Sequence, residues 1–283
     1  MALKGNLLFN GDFETWGTEG WVKGPFGLLC DFNFWASGVA SYRGSYGGLL
    51  EAQDAGAEGY ICYDKACCFE EYEAYLAIMY LRMENGVGFA PILYGLDDKG
   101  NLIDKFYLGW IKEKRRWIKH IAILRGFGDI THFKLGAYAW ALNSGDRFYI
   151  DEVKLLPLRS IKGHILAEYR KFEDLDSNWV WSSGLAFMGR CRLRSIVRAK
   201  VKYGTSPTLD IKLEISLFDD IYTKYTLEHP TITSDTTDEQ VIDLPEVCII
   251  YVSYSLGGSS PLFDVYHHLR IEPIESGDSG TTM

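Results

Sequence analysis

The sequence has no long hydrophobic run and no excess of positive charge. No stretch reaches the ~18 consecutive apolar residues of a membrane-spanning helix, so we expect no membrane contact. The 29 basic residues are outnumbered by 38 acidic residues, which gives a net charge of −9. That balance argues against nucleic-acid binding, because nucleic-acid binders present a basic face.

Cysteine motifs are also missing. The six cysteines include no C-x-x-C pair, and the spacing of Cys62, Cys67 and Cys68 suits no common zinc site. Two interpretations stay open for these three residues. They are free thiols, or one disulfide links Cys62 to Cys67 or Cys68, as in proteins from oxidising environments.

Catalytic signatures are absent as well. The sequence contains no G-x-S-x-G, no H-E-x-x-H and no glycine-rich phosphate-binding motif. Its six histidines show no serine or cysteine partner pattern. His267 and His268 are adjacent in a β-like run, so their side chains are expected on opposite faces. We therefore expect a protein that is not an enzyme.

What the sequence does contain is a series of short β-like runs separated by Gly, Asn and Asp. Alternation is clearest in the run from Leu209 to Leu217, where every second residue is apolar. Helical periodicity is not sustained anywhere. Strands without intervening helices predict an all-β chain with two antiparallel, jelly-roll-like β-sandwich domains in tandem.

A domain boundary is predicted at Pro157, because proline cannot continue a central strand and a more polar stretch follows. The predicted organisation is a first sandwich at 1–157, a linker or short helix at 158–176, a smaller sandwich at 177–274 and a flexible tail at 275–283.

Three motifs follow one another in the first half. They are the opening segment Asn6–Glu14 with a later Gly20-Trp21, the loop and strand Gly44–Leu49, and the closing segment Tyr149–Val153. In this order they resemble the galactose-binding-like jelly rolls of carbohydrate-binding modules, especially the xylan- and glucan-binding type attached to glycoside hydrolases. The resemblance covers residues 4–156, with Glu152 where the family has Asp. The second half carries no family motif.

The resemblance implies a structural calcium ion. Matching positions are the carboxylates of Glu14 and Asp151, together with backbone oxygens around Gly44 and Tyr46. Calcium takes ~6–8 oxygen ligands, so carboxylates from both ends of the domain would hold it together. The alternative is that Glu14 and Asp151 only cap turns or accept hydrogen bonds.

The resemblance also implies a glycan platform. Alternation in the run 133–141 places Tyr138 and Trp140 on one face and small residues on the other. Aromatic rings stack on the C–H faces of sugars. The other candidates for this platform are Trp35, Tyr80, Arg82 and Trp110. The alternative is that these rings pack under loops or against the second domain.

Two functions are expected. The first is a structural or binding protein of a virion, a phage-like tail or capsid-decoration component, which fits the lack of an export signal after Met1. The second is a pair of carbohydrate-binding modules from a secreted polysaccharide-degrading enzyme. The expected partners are a polysaccharide or surface glycan, or other virion subunits, and the expected location is the virion or the extracellular space. Exposed strand edges permit a homo-oligomer without specifying one.

Overall fold

The computed structural model describes residues 6–274, apart from 16, 70, 71, 73, 127, 162, 163 and 219. The chain divides into two compact units, unit 1 at Met1–Ser160 and unit 2 at Ile161–Met283. Regular structure in the described residues is β-strand with short 3-10 turns, such as Pro25–Gly27 and Gly38–Ala40. None of these residues forms a helix with the length and hydropathy of a membrane span. The chain is all-β, as the sequence predicts.

Unit 1 is a sandwich of two antiparallel sheets. Its strands are β1 Trp21–Lys23, β2 Phe32–Ser37, β3 Gly47–Ala52, β4 Glu58–Tyr63, β5 Cys67–Cys68, β6 Ala74–Met83, β7 Gly88–Leu96, β8 Leu102–Tyr107, β9 Trp117–Leu124, β10 His132–Trp140 and β11 Arg147–Leu158. The first sheet has the order β1-β4-β10-β7-β8, with β5 also paired to β10. The second sheet contains β9-β6-β11-β3-β2.

Phenylalanine side chains fill the space between the two sheets of unit 1. Phe148 of the second sheet packs against Phe89 of the first, with ring centroids 5.4 Å apart, and against Phe32 at 5.6 Å. All three rings are fully buried. Because strand residues alternate between faces, each sheet also has an outer face, and the candidate glycan residues lie on or beside these two outer faces.

Unit 2 is built on two long strands that fold over together. Its strands are β12 Leu166–Leu175, β13 Trp179–Ser182, β14 Leu185–Phe187, β15 Cys191–Leu217, β16 Asp220–Glu228, β17 Thr236–Leu244 and β18 Ile249–Pro273. β15 and β18 pair along most of their length, with register shifts between Val201 and Thr208. One half of this pair is flanked by β12 and β17, the other by β13 and β16.

Glycine is required at the bend where the two long strands fold over. Gly258 has φ +90°, and a Cβ there would lie 2.4 Å from the backbone oxygen of Ser206. Beyond this bend the two halves of the sheet pack against each other as the layers of the second sandwich, and Leu209, Ile211 and Leu213 are buried between them, as their alternation predicts.

The interval 158–176, predicted as a linker or short helix, instead contains strand β12. The strand is not evident from its polar composition, because two of its inward-facing residues are charged. These residues, Glu168 and Arg170, form an ion pair at 3.1 Å. The Arg170 guanidinium lies 4.7 Å from the ring of the buried Trp181. The residues 275–283, predicted as a flexible tail, lie outside the described residues.

All six cysteines are free thiols. Cys62 lies in β4 opposite Gly136, whereas Cys67 lies in β5 opposite Phe133, so the two strands meet β10 at different places. The disulfide alternative is therefore not formed. Burial raises the pKa of the Cys62 thiol to about 12, which makes it unreactive at neutral pH.

Candidate functional site

Glu14, the end of the opening motif, holds the loop that contains Gly44. Its Oε1 accepts hydrogen bonds from the backbone N–H groups of Ser45 and Tyr46 at 2.7 and 2.9 Å. Gly44 has φ +79°, and a Cβ there would lie 2.3 Å from Glu14 Oε1. Glycine at this position therefore allows the carboxylate to approach the loop closely.

Asp151, from the closing motif, contacts the same loop. Its Oδ2 accepts hydrogen bonds from the backbone N–H groups of Tyr42 and Arg43 at 2.7 and 3.0 Å. β11 changes register after Asp151, and Glu152 has φ +52°, so a bulge aims the carboxylate into the loop. The two chain ends of the domain thus converge on one loop.

The charge around Asp151 suits a cation, but the groups that face it are not the oxygen ligands that calcium needs. Asp151 is fully buried, and burial raises its pKa to about 7 against the hydrogen bonds that lower it. In the described part of the chain no basic side chain pairs with it, since Lys154 pairs with Glu152. The loop directs N–H groups toward both carboxylates, and the described residues contain no group of three His, Cys, Asp or Glu arranged for a metal. Calcium stays a prediction.

The candidate glycan residues divide between the two outer faces of unit 1, which corrects the expectation of one platform. Trp35, Tyr80 and Arg82 lie in the second sheet, in β2 and β6. Tyr80 stacks on Tyr42 at 4.0 Å, and Arg82 lies 5.2 Å from the ring of Tyr149. Alternation along each strand predicts that these side chains point outward. It does not predict which of the two sheets a strand joins, because that depends on pairing with strands far away in the sequence.

The remaining candidates lie together on the outer face of the first sheet. Tyr138 is nearly buried there, 4.7 Å from the ring of Tyr60, 5.7 Å from Tyr107 and 5.8 Å from Trp110. We call these four rings the aromatic cluster. Trp140, on the same face of β10, is 38% exposed and lies opposite Glu58 and Gly88 in the neighbouring strands.

Polar groups stand among these rings. Lys105 Nζ lies 4.7 Å from the ring centroid of Tyr60, and the hydroxyls of Tyr60 and Tyr107 are 3.4 Å apart. Burial, and then a hydrogen bond to Glu58, raises the pKa of Tyr138. The cluster therefore presents half-buried rings beside a carboxylate and an ammonium group.

The indole ring of Trp110 can approach β7 closely because Gly88 has no side chain. A Cβ on Gly88 would lie 2.3 Å from Trp110 Cζ2. Tyr60, Tyr107, Glu58 and Lys105 were not anticipated as site residues. Neither tyrosine stands in an alternating run, and their position beside Tyr138 follows only from the pairing of β4 with β10 and of β8 with β7.

Unit 2 contains an Asp-His-Ser arrangement that the sequence did not reveal. His229 Nδ1 lies 2.6 Å from Asp238 Oδ2, and His229 Nε2 lies 2.7 Å from Ser195 Oγ. Ser195 is fully buried, and its hydroxyl also contacts His267 Nε2 at 2.7 Å. A substrate cannot reach this hydroxyl, so the group is a structural hydrogen-bond chain.

No family model and no curated protein sequence matches the chain. Solved structures do match. The tandem CBM22-1-CBM22-2 domain of Xyn10C from Paenibacillus barcinonensis is 9% identical, with a TM-score of 0.38, and the match covers 92% of this chain and 96% of that chain.

Two further matches cover about half of this chain. The C-terminal family 22 carbohydrate binding module of Clostridium thermocellum Xyn10B is 19% identical, with a TM-score of 0.42, over 56% of this chain and 97% of that chain. The enzymatically active domain of bacteriophage CBA120 tailspike protein 4 is 14% identical, with a TM-score of 0.43, over 54% of this chain and 22% of that chain. The likeness is one of fold, and carbohydrate-binding modules are the proteins that the sequence motifs resemble.

Proposed function

We propose that the chain binds carbohydrate and that unit 1 holds a polysaccharide on the outer face of its first sheet. The observation that carries the proposal is the convergence of Tyr60, Tyr107 and Trp110 around Tyr138. Sugar rings offer apolar C–H faces that stack on aromatic rings, while their hydroxyls require hydrogen-bond partners at the edges.

The polar groups around the cluster supply those partners. Glu58 can accept hydrogen bonds from sugar hydroxyls and Lys105 can donate them, and both side chains are half-buried at the border of the rings. Tyr138 is the supporting member, because it is nearly buried and its hydroxyl is already bonded to Glu58. Tyr107, Trp110 and the exposed Trp140 are the rings that a sugar chain would contact.

Of the two expected functions, the proposal follows the second. The chain acts as a carbohydrate-binding module pair of the kind found in secreted polysaccharide-degrading enzymes, and it works outside the cell on polysaccharide. No feature of the described residues favours the virion role.

Isothermal titration calorimetry of the full chain with xylohexaose, cellohexaose and mannohexaose tests the proposal. Trp140 and Trp35 form a matched pair, because both are 38% exposed on opposite sheets of unit 1. We expect W140A and W110A to weaken binding about tenfold or more, with W35A unchanged. Absence of binding to every neutral hexasaccharide, or an equal loss in W35A, would overturn the proposal.

A further inference from the structure

A groove of about 950 Å³ lies on one outer face of unit 2. Its volume is within the range typical of small-molecule sites, ~300–1,000 Å³. The groove follows the half-sheet in which β12, β18, β15 and β17 are neighbours. Cross-strand pairing aligns Tyr169, His268 and Ile196 in one row and places Tyr266 beside Arg198 in the next.

Aromatic rings form one side of the groove. Tyr169 is 58% exposed, and its ring centroid lies 6.4 Å from that of Tyr266 and 6.4 Å from that of His268. Burial and the nearby Arg270 lower the pKa of His268, so its imidazole is neutral at pH 7 and can both donate and accept. Rings at this spacing provide a stacking surface with a polar edge.

The acidic and basic groups of the groove differ in whether they already have partners. Asp264 pairs with Lys202 at 3.5 Å and also accepts a backbone N–H group. Asp235 accepts a backbone N–H group at 2.8 Å. Arg198 and Lys200 are exposed, and their side chains form no hydrogen bond or ion pair with the residues that the structure describes. The carboxylates are therefore engaged. Lys200 lies opposite Asp264 in the strand pair and, after the backbone hydrogen bond and Lys202, helps to lower the pKa of that carboxyl group. Arg198 is therefore the cationic group that remains available.

We propose that this groove binds an acidic oligosaccharide, in which sugar rings stack on Tyr169 and Tyr266 and a ring carboxylate is held by Arg198. The guanidinium group donates two parallel hydrogen bonds to a carboxylate, and Lys200 adds a second positive charge. The proposal goes beyond the function proposed for unit 1, because it concerns another unit and another ligand charge.

The net charge of the protein argues against ligands that bind by charge alone. Because the whole protein carries a net charge of −9, polyanions that bind by charge alone are repelled outside the groove. Recognition of an acidic sugar therefore requires the rings as well as the arginine, and this double requirement is what the experiment measures.

The test is calorimetric titration of the full chain with hexagalacturonate, with xylohexaose as the neutral counterpart and dextran sulfate as the polyanion control. We expect R198A and Y266A each to weaken hexagalacturonate binding about tenfold, and R198K to retain part of the affinity. Added NaCl should weaken binding further, since the contact is ionic.

The control variants are K212A and W179A, which remove a charge and a ring outside the groove, and W110A, which affects only the unit 1 face. All three should bind hexagalacturonate like the wild type, so this proposal and that for unit 1 fail separately. Failure of the wild type to bind hexagalacturonate would overturn the inference. Binding that is lost in R198A but kept in Y266A, and equalled by dextran sulfate, would also overturn it as attraction by charge alone.

Discussion

The hydroxyl group of Tyr254 lies 2.6 Å from Nδ1 of His267, although the two residues occupy opposite halves of the same strand β18. Their contact joins the two layers of the unit 2 sandwich. It also continues the chain through Ser195 to His229 and Asp238.

With both imidazoles neutral, one arrangement of protons satisfies every member of this chain. The Asp238 carboxylate accepts, so His229 carries its proton on Nδ1 and accepts at Nε2 from the Ser195 hydroxyl. Ser195 then accepts from His267 Nε2–H, and His267 Nδ1 accepts from the Tyr254 hydroxyl. Burial favours the neutral form of both imidazoles, because it lowers the pKa of His267 and of His229.

Unit 2 is therefore expected to lose stability in acid. Burial lowers the pKa of His267 to about 3 and also lowers that of His229. Below pH ~6.5 the unfolded His267 binds a proton that the folded one does not, so the free energy of unfolding falls as pH drops toward 3, by up to about 1.4 kcal/mol per pH unit. His229 changes the free energy of unfolding in the same direction. Calorimetric unfolding between pH 7 and 4 measures the slope. H267Q cannot titrate and should flatten it, and an unchanged slope in this variant would contradict the explanation.

Removing the Tyr254 hydroxyl should destabilise unit 2 without altering its packing. Y254F leaves His267 Nδ1 without a donor and the indole N–H of Trp181 without an acceptor, and an unpaired buried group costs about 1–3 kcal/mol. The control is Y203F, because Tyr203 is largely exposed. Urea unfolding should show a lower midpoint for Y254F alone, and equal midpoints for the two variants would show that the contact contributes nothing.

The sequence predicts the fold class well because alternation is a local signal. The run from Leu209 to Leu217 is a buried strand, and His267 and His268 face opposite sides, one in the buried chain and one in the groove. Strand β12 was missed because its inward Glu168 and Arg170 neutralise each other. In a sequence, a strand with an inward ion pair has the same polar composition as a linker.

The candidate sites are less predictable because they depend on long-range pairing. The outward direction of Tyr138 follows from alternation, but its neighbours Tyr60 and Tyr107 are set by which strands flank β10 and β7. In the same way, Ser195 and His229 are far apart in the chain and meet only when the long strands of unit 2 fold over.

Gly88 is expected to control the aromatic cluster. In G88A the new Cβ would overlap the indole ring of Trp110, so Trp110 must leave its position beside Tyr138. We expect about tenfold weaker binding of a neutral hexasaccharide with little change in stability, measured by titration and thermal unfolding. The double variant G88A/W110F, with a smaller ring, should recover part of the affinity. Wild-type affinity in G88A would remove Trp110 from the site.

Asp151 provides the test of calcium binding. Without a cation, its raised pKa of about 7 means that the folded state holds a proton which the unfolded state, near pKa 3.9, releases. The free energy of unfolding of unit 1 should then decrease as pH rises from about 4 to 7. Calcium favours the carboxylate form, so its stabilising effect should grow over the same interval.

Thermal unfolding at pH 5 and pH 7.5, with millimolar calcium or with EDTA, measures this effect. We expect calcium to raise the transition temperature of unit 1 more at pH 7.5 than at pH 5. D151N removes the charge and should abolish the response, whereas D98N, in an exposed turn, should keep it. If EDTA changes nothing at either pH while D151N raises the stability at pH 7.5, the carboxylate serves only as a hydrogen-bond acceptor for the loop. Its burial would then be an uncompensated cost that the backbone N–H groups of Tyr42 and Arg43 reduce.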